Sequence, residues 1–226
     1  MKKCLDIWII IPAYNPNDKL VELIETLYQR TKNILVINDG SDKKCDTYFK
    51  QIKEKCILLE SSKNCGKGNA LKKGFQYVLE MKKDILGVVT ADADGQHQTE
   101  DILKIESKLR ENPDKFILGC RNFDTENIPF LNTISNKIMC FINKKRYLCD
   151  IKDTQTGLRG IPIIYIEDCL NIPGERYEYE FNVLKYIQMK RISLAQIEIK
   201  TIYDKKIESN YRKITDSIKI LKTIFK

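Results

Sequence analysis

Asp92, Asp94 and Gln96 place two carboxylates and a carboxamide at alternate positions of Asp92-Ala93-Asp94-Gly95-Gln96-His97. Hard oxygen donors at this spacing suit Mg²⁺ or Mn²⁺, and a divalent ion so held can grip a diphosphate. The same residues would also serve as a turn leading into a helix, since aspartate favours both turns and caps. The run follows Ile85-Leu86-Gly87-Val88-Val89-Thr90-Ala91, which reads as a buried strand. Open α/β sheets bind ligands at the carboxyl ends of their strands. Such a strand would therefore deliver both acids to a ligand edge.

The surrounding elements fit that picture. Ile7-Trp8-Ile9-Ile10-Ile11 predicts a first buried strand, ended by Pro12. Asn15-Pro16-Asn17-Asp18 is turn and cap chemistry, and Leu20, Leu23, Ile24, Leu27 and Tyr28 follow at helical spacing. Ile34-Leu35-Val36-Ile37 predicts a second strand ending in Asn38-Asp39-Gly40-Ser41. A helix near Thr47 to Lys55, a strand from Cys56 to Leu59 and a helix opened by Gly66-Lys67-Gly68 come next. This alternation predicts an α/β fold: a mostly parallel sheet flanked by helices. No G-x-G-x-x-G follows the first strand, which disfavours a dinucleotide site, and Gly66-Lys67-Gly68 lacks the phosphate-loop spacing. Beyond Asp101 a helix near Ile102 to Arg110, a strand Phe116 to Gly119 and a basic helical stretch Leu131 to Arg146 are expected.

With 226 residues, 42% hydrophobic and 31% charged, the chain can form one domain with a sizeable core. No apolar run spans a bilayer, and Asp6 and Pro12 cut short any secretory signal, so a cytoplasmic chain is expected. Eight cysteines occur with no C-x-x-C pair and a single histidine, which disfavours zinc and favours reduced core thiols. The net charge of +8 is uneven. Residues 200–226 hold eight Lys and Arg against three acids, and Lys137, Lys144, Lys145 and Arg146 cluster without an acid. Such patches attract phosphates or simply form a solvated surface.

Taken in order, the motifs resemble glycosyltransferase family 2, and most of all its branch that loads sugars onto polyprenyl phosphates, the dolichyl-phosphate mannosyltransferase type. The resemblance runs through Ile9–Asn15, Asn38–Ser41, Gly66–Ala70, Asp92–His97, Gly119–Arg121, Asp153–Gly160 and Gly174–Glu180. It implies a GT-A fold with a nucleotide pocket at the strand ends. Pro12, Ala13 and Tyr14 would line that pocket, Asp39 would reach the base, Lys67 the nucleotide or its phosphates, and Asp92 with Ala93 the ribose. Asp94 and Gln96 would hold Mg²⁺ or Mn²⁺, which offsets charge on the leaving nucleoside diphosphate. His97 is either a further ligand or a neutral partner in a loop hydrogen bond. Two positions depart from the pattern: Pro16 and Asn38 stand where many relatives carry an acid.

On the acceptor side the resemblance points to Arg121 and Arg159 for a lipid phosphate, with Ser135 and Lys137 as further contacts. Arginine suits phosphate through its planar fork. Arg159 could equally be held in a structural ion pair. An ionised phosphate needs no general base, whereas a sugar hydroxyl needs one. Glu175, Glu178 and Glu180 are the available acids, and Glu178 or Glu180 would be the base if one is needed. Ile214, Ile218, Leu221 and Phe225 give the tail an apolar face suited to the domain or to a membrane interface.

The expected enzyme is a single domain, 1–226, with a nucleotide-sugar-binding half (1–100), an acceptor-binding half (101–200) and a basic amphipathic tail (201–226). It would be an inverting hexosyltransferase using a UDP- or GDP-linked sugar and a polyprenyl phosphate. A glycan hydroxyl is the alternative acceptor. Contact with the inner face of the membrane is open to it, and no nucleic-acid partner is expected: no stacking aromatics sit among basic strands.

Overall fold

The computed structural model describes residues 5–81, 84–122 and 151–200, together with Asn136 and Cys140. Four strands, β1 (Asp6–Ala13), β2 (Ile34–Asn38), β3 (Ile57–Glu60) and β4 (Ile85–Thr90), alternate with helices α1 (Asp18–Tyr28), α2 (Asp46–Ile52) and α3 (Lys67–Glu80). Helix α4 (Thr99–Glu111) leads to β5 (Phe116–Arg121). Strand β6 (Arg159–Pro162), helices α5 (Ile166–Asn171) and α6 (Glu178–Met189), and strand β7 (Leu194–Ile199) complete the described chain.

The seven strands form one sheet in the order β3-β2-β1-β4-β6-β5-β7. Every pairing is parallel except those of β6, which runs against β4 and β5. The α/β fold is thus a mostly parallel sheet with helices on both faces, and the sheet continues without a break from the first half of the chain into the second.

Strand β1 explains why the core has two sides. Ile7, Ile9, Ile11 and Ala13 pack with α1, α2 and α4, whereas Trp8 and Ile10 pack with α3, α5 and α6. Successive side chains of a strand point to opposite faces, so an uninterrupted apolar run feeds both layers.

Pro12 does not end β1, contrary to expectation: the strand runs to Ala13, with Pro12 opposite Ile37. Ile9 donates to Asn33 and Ala13 accepts from Asp39, so odd positions face β2, while Ile10 accepts from Ala91 on the β4 side. Pro12 therefore turns its missing donor toward β4, whose pairing stops at Ile10 opposite Thr90. No ladder bond is lost there.

The basic stretch 131–146, apart from Asn136 and Cys140, and the tail 201–226 lie outside the described residues. Among those described, no helix is long and apolar enough to cross a membrane.

Candidate active site

The carboxyl ends of β1, β2, β3 and β4 share one edge because these strands are parallel neighbours. Arg159 opens β6 opposite Thr90 at the end of β4, so the antiparallel strand carries the loop before it to the same edge. Segments 13–17, 38–42, 61–66, 91–98 and 153–158 all meet there. So does the start of α6, since a β-carbon on Gly68 of α3 would stand 2.5 Å from Tyr179 Cβ.

The first two loops are tied by side chains. Asn15, at a positive φ of 48°, donates through its amide to Asp42 and accepts from the Asp42 backbone. Its own N–H donates to Ser41 Oγ. Asn38 Oδ1 accepts from Ser41 N, and Pro16 is buried. Asp39 is 3% exposed and accepts the backbone N–H groups of Cys65 (2.9 Å) and Gly66 (2.8 Å). It clamps the loop that opens α3. Ala13 is buried beneath this edge, Pro12 is half-buried, and Tyr14 is 36% exposed at its rim.

At the centre, Lys67 Nζ lies 2.5 Å from Asp92 Oδ1 and 2.8 Å from Glu180 Oε2. Burial, the largest single influence, would raise the Asp92 carboxyl, but Lys67, by charge and hydrogen bond, together with His97 and Arg121, holds the group at about 2. Burial works against the Lys67 charge, yet Asp92 and Glu180 together raise its pKa. Asp94 is raised, first by burial and then by the neighbouring Asp92 charge.

Asp94 Oδ1 accepts from Gln96 N, and its Oδ2 lies 2.8 Å from Gln96 Nε2, so the two side-chain heads converge. Ala93 is half-buried between Asp92 and Asp94. Among the described residues no group of three or more His, Cys, Asp and Glu is arranged to hold a metal. Asp94 and the Gln96 amide oxygen still have the donor chemistry for Mg²⁺ or Mn²⁺, which keep several ligands from water and phosphate. Gly95, at φ 79°, makes the turn that brings the pair together. His97 is 6% exposed and accepts from the Asp92 backbone N–H through Nδ1. That nitrogen is engaged inside the loop, and Nε2 lies 4.0 Å from Asp92 Oδ2.

Arg121, at the end of β5, is gripped by Asp153: Nε at 2.7 Å from Oδ2 and Nη2 at 2.9 Å from Oδ1. Asp153 is fully buried and also accepts from Gln155 N. Asn136 accepts from Thr154 and donates to Lys152, fastening the same loop.

Two residues are placed differently from the sequence expectation. Arg159 is 3% exposed, and its Nε and Nη1 donate to the carbonyls of Thr156 (3.1 Å) and Glu180 (2.6 Å). It braces two backbone segments rather than presenting a fork to an acceptor phosphate. Glu178 accepts from the N–H groups of Glu175 and Arg176 through Oε1, capping the start of α6. Glu180, two residues on, faces the site instead. Ser135 and Lys137 lie outside the described residues.

Sequence reasoning assigned no role to Gly157, yet a β-carbon there would stand 2.6 Å from both Asp92 oxygens and 2.8 Å from Lys67 Nζ. The Asp153–Gly160 motif contained that signal, as a glycine within a polar run.

This strand-end edge lies within a family match: the chain belongs to glycosyl transferase family 2, whose pattern matches residues 8–168. An uncharacterized protein of Methanocaldococcus jannaschii is 28% identical over 221 residues, spanning 96% of this chain and 89% of that protein. The UDP-N-acetylglucosamine–dolichyl-phosphate N-acetylglucosaminyltransferase of Methanococcus voltae is 27% identical over 224 residues, spanning 87% of this chain and 86% of that one. Among solved structures, glucosyl-3-phosphoglycerate synthase from Mycobacterium tuberculosis, in complex with Mn²⁺, UDP and glucosyl-3-phosphoglycerate, matches with a TM-score of 0.73. That match has 12% identity and covers 99% of this chain and 80% of the other. The fold is GT-A, and the protein is a glycosyltransferase.

Proposed function

We propose that this glycosyltransferase moves a hexose, with inversion, from a nucleoside-diphosphate sugar to a polyprenyl phosphate. The observation that carries the reading is the convergence of Lys67, Asp92, Asp94 and Gln96 on the one edge where the parallel strands end. Pro12, Ala13, Tyr14 and Asp39 border the nucleoside, and Asp92 with Ala93 meets the ribose. Lys67 serves the diphosphate. Residues 1–100 supply this donor half and 101–200 the acceptor half.

Asp94 and Gln96 would hold Mg²⁺ or Mn²⁺. Such an ion, when bound, stabilises the charge that develops on the leaving diphosphate. The M. tuberculosis neighbour's complex with Mn²⁺ and UDP supports this choice of ion.

Two observations support a phosphate acceptor. The M. voltae relative acts on a dolichyl phosphate by its name. Glu178 caps the start of α6 through one oxygen and Glu180 is paired with Lys67 through one, so a sugar hydroxyl would have to compete with those contacts for either as its base. An ionised phosphate oxygen attacks the anomeric carbon directly, and the bond to the diphosphate breaks on the opposite face. Arg121, oriented by its paired bonds to Asp153, is the guanidinium this reading sets beside that phosphate. On this reading the protein works at the inner face of the membrane, beside a lipid acceptor.

The test is transfer of labelled sugar, from UDP- and GDP-linked donors, into an organic phase containing polyprenyl phosphate. Counts that require both the lipid and Mn²⁺ or Mg²⁺ are expected. Sugar transfer only to a glycan acceptor would overturn the lipid-phosphate reading.

A further inference from the structure

We infer that Glu180 is a positioning residue for Lys67, fixing its ammonium at the strand-end edge where a donor diphosphate would meet it. The purpose assigned to Lys67 rests on the proposed donor site; the hold itself rests on geometry alone.

Glu180 is the third residue of α6. A carboxylate in the first helical turn ordinarily turns to the exposed N–H groups there. This one turns inward instead. It is 9% exposed, with Oε2 2.8 Å from Lys67 Nζ, and among the described residues its Oε1 is buried with no hydrogen-bond partner. A buried carboxylate with half its acceptor capacity unmatched is costly, and here the Lys67 ammonium is the one charge that offsets that cost among the described residues. The geometry points to a use for the charge at Lys67.

Everything around Glu180 fixes its distance from Lys67. Arg159 grips the Glu180 carbonyl. Gly68 and Tyr179 press α3 and α6 together one residue away from each partner. Gly157 closes the remaining side of Lys67 Nζ. Asp92 completes the cradle, but the donor would engage Asp92 too. Glu180 is then the anchor that stays when Lys67 loses its second partner. A lysine on a four-carbon stem loses much rotamer freedom when held, so an anchor already in place lessens what ligand binding must supply.

Two measurements on the full chain test this. The first is mass-spectrometric labelling of Lys67 by an amine-acetylating reagent, relative to exposed Lys50. Glu180→Gln keeps shape and loses charge, so Lys67 labelling should rise about tenfold, the size of one charge-assisted hydrogen bond. Unchanged labelling in folded E180Q overturns the inference. Should E180Q fail to fold, Glu180→Asp withdraws the same charge by one methylene. Labelling between that of the wild type and that of the exposed lysine is expected, and wild-type labelling overturns the inference. The second measurement is a double-mutant cycle on the affinity for UDP and GDP with Mn²⁺. E180Q should weaken binding about tenfold in the wild type and less than about twofold in Lys67→Met. Equal losses in both backgrounds would show a merely structural role and overturn the positioning. If the wild type binds neither nucleotide, the donor reading fails while the labelling still decides the hold on Lys67.

Discussion

Gly157 and Asp92 touch so closely that no methyl group fits between them: a β-carbon on Gly157 would stand 2.6 Å from each Asp92 oxygen. The carbonyl of Gly157 also accepts from Thr90 Oγ1 at 2.7 Å, which ties the same loop to the end of β4. With the loop tied, a methyl group there would have to push aside the Asp92 carboxylate and the Lys67 ammonium paired with it. Gly157→Ala is expected to lower stability by about 1–3 kcal/mol, the usual cost of overpacking. It should reduce transfer far more than thermal stability, because the displaced group is the Asp92–Lys67 pair. Thermal melts and the organic-phase assay on one preparation check both effects.

Asp94 makes no contact that the core depends on; its oxygens bond to Gln96 in its own loop. Asp94→Ala should therefore leave the melting temperature near that of the wild type. Transfer should fall at least about a hundredfold, as losing a charge-stabilising group does. Chelation of divalent ions in the wild type should have the same effect, reversed by added Mn²⁺. Full activity in Asp94→Ala would contradict the proposed ion site.

Asp39 behaves differently, because its carboxylate holds Cys65 N and Gly66 N in a buried setting. Asp39→Ala leaves two backbone donors unpaired and should cost about 2–4 kcal/mol. The loss should appear first in the 61–66 loop, read as faster amide exchange there. An unaltered exchange pattern would mean that the clamp contributes nothing.

The Asp92 carboxyl is held at about 2, below the ordinary 3.8. A depressed carboxylate contributes stability that is complete above its unfolded value and lost as pH falls through the folded one. In metal-free buffer, the stability difference between wild type and Asp92→Asn should shrink as pH falls from about 4 to about 2. Its pH-dependent part should be about 2 kcal/mol, from the size of the shift. Chemical denaturation at several pH values measures it, and a flat difference would contradict the Lys67 pairing.

Much of the sheet could be read from the chain because β1, β2 and β4 are short unbroken apolar runs buried on both faces. Strand β6 could not: Arg159-Gly160-Ile161-Pro162 carries a charge, a glycine and a proline, and only its neighbours β4 and β5 make it a strand. Arg159 misled for a related reason. Its partners are backbone carbonyls of residues 156 and 180, and a carbonyl leaves no mark in residue type. The choice among the glutamates turned on register. Residues two apart on a helix point about 200° apart, so where α6 begins decides which acid enters the site. Gly174, at φ 111°, precedes that start, and the helix opens at Glu178. The strand-end acids were easier, since a strand's exit from the sheet fixes where its next residues lie.

Reversing one strand also divides the molecule by tolerance to change. Because β6 runs against its neighbours, its far end at Pro162 lies level with Gly87, near the start of β4. There the chain emerges beside Asp114, whose carbonyl accepts from Tyr165, and residues 190–193 enter β7 close by. Ile164 and Met189 stand exposed on that remote rim. Insertions, fluorophores or affinity handles grafted there would be felt by neither the acids nor the arginine of the opposite edge. The protein can be diversified or immobilised from below while its chemistry is left intact.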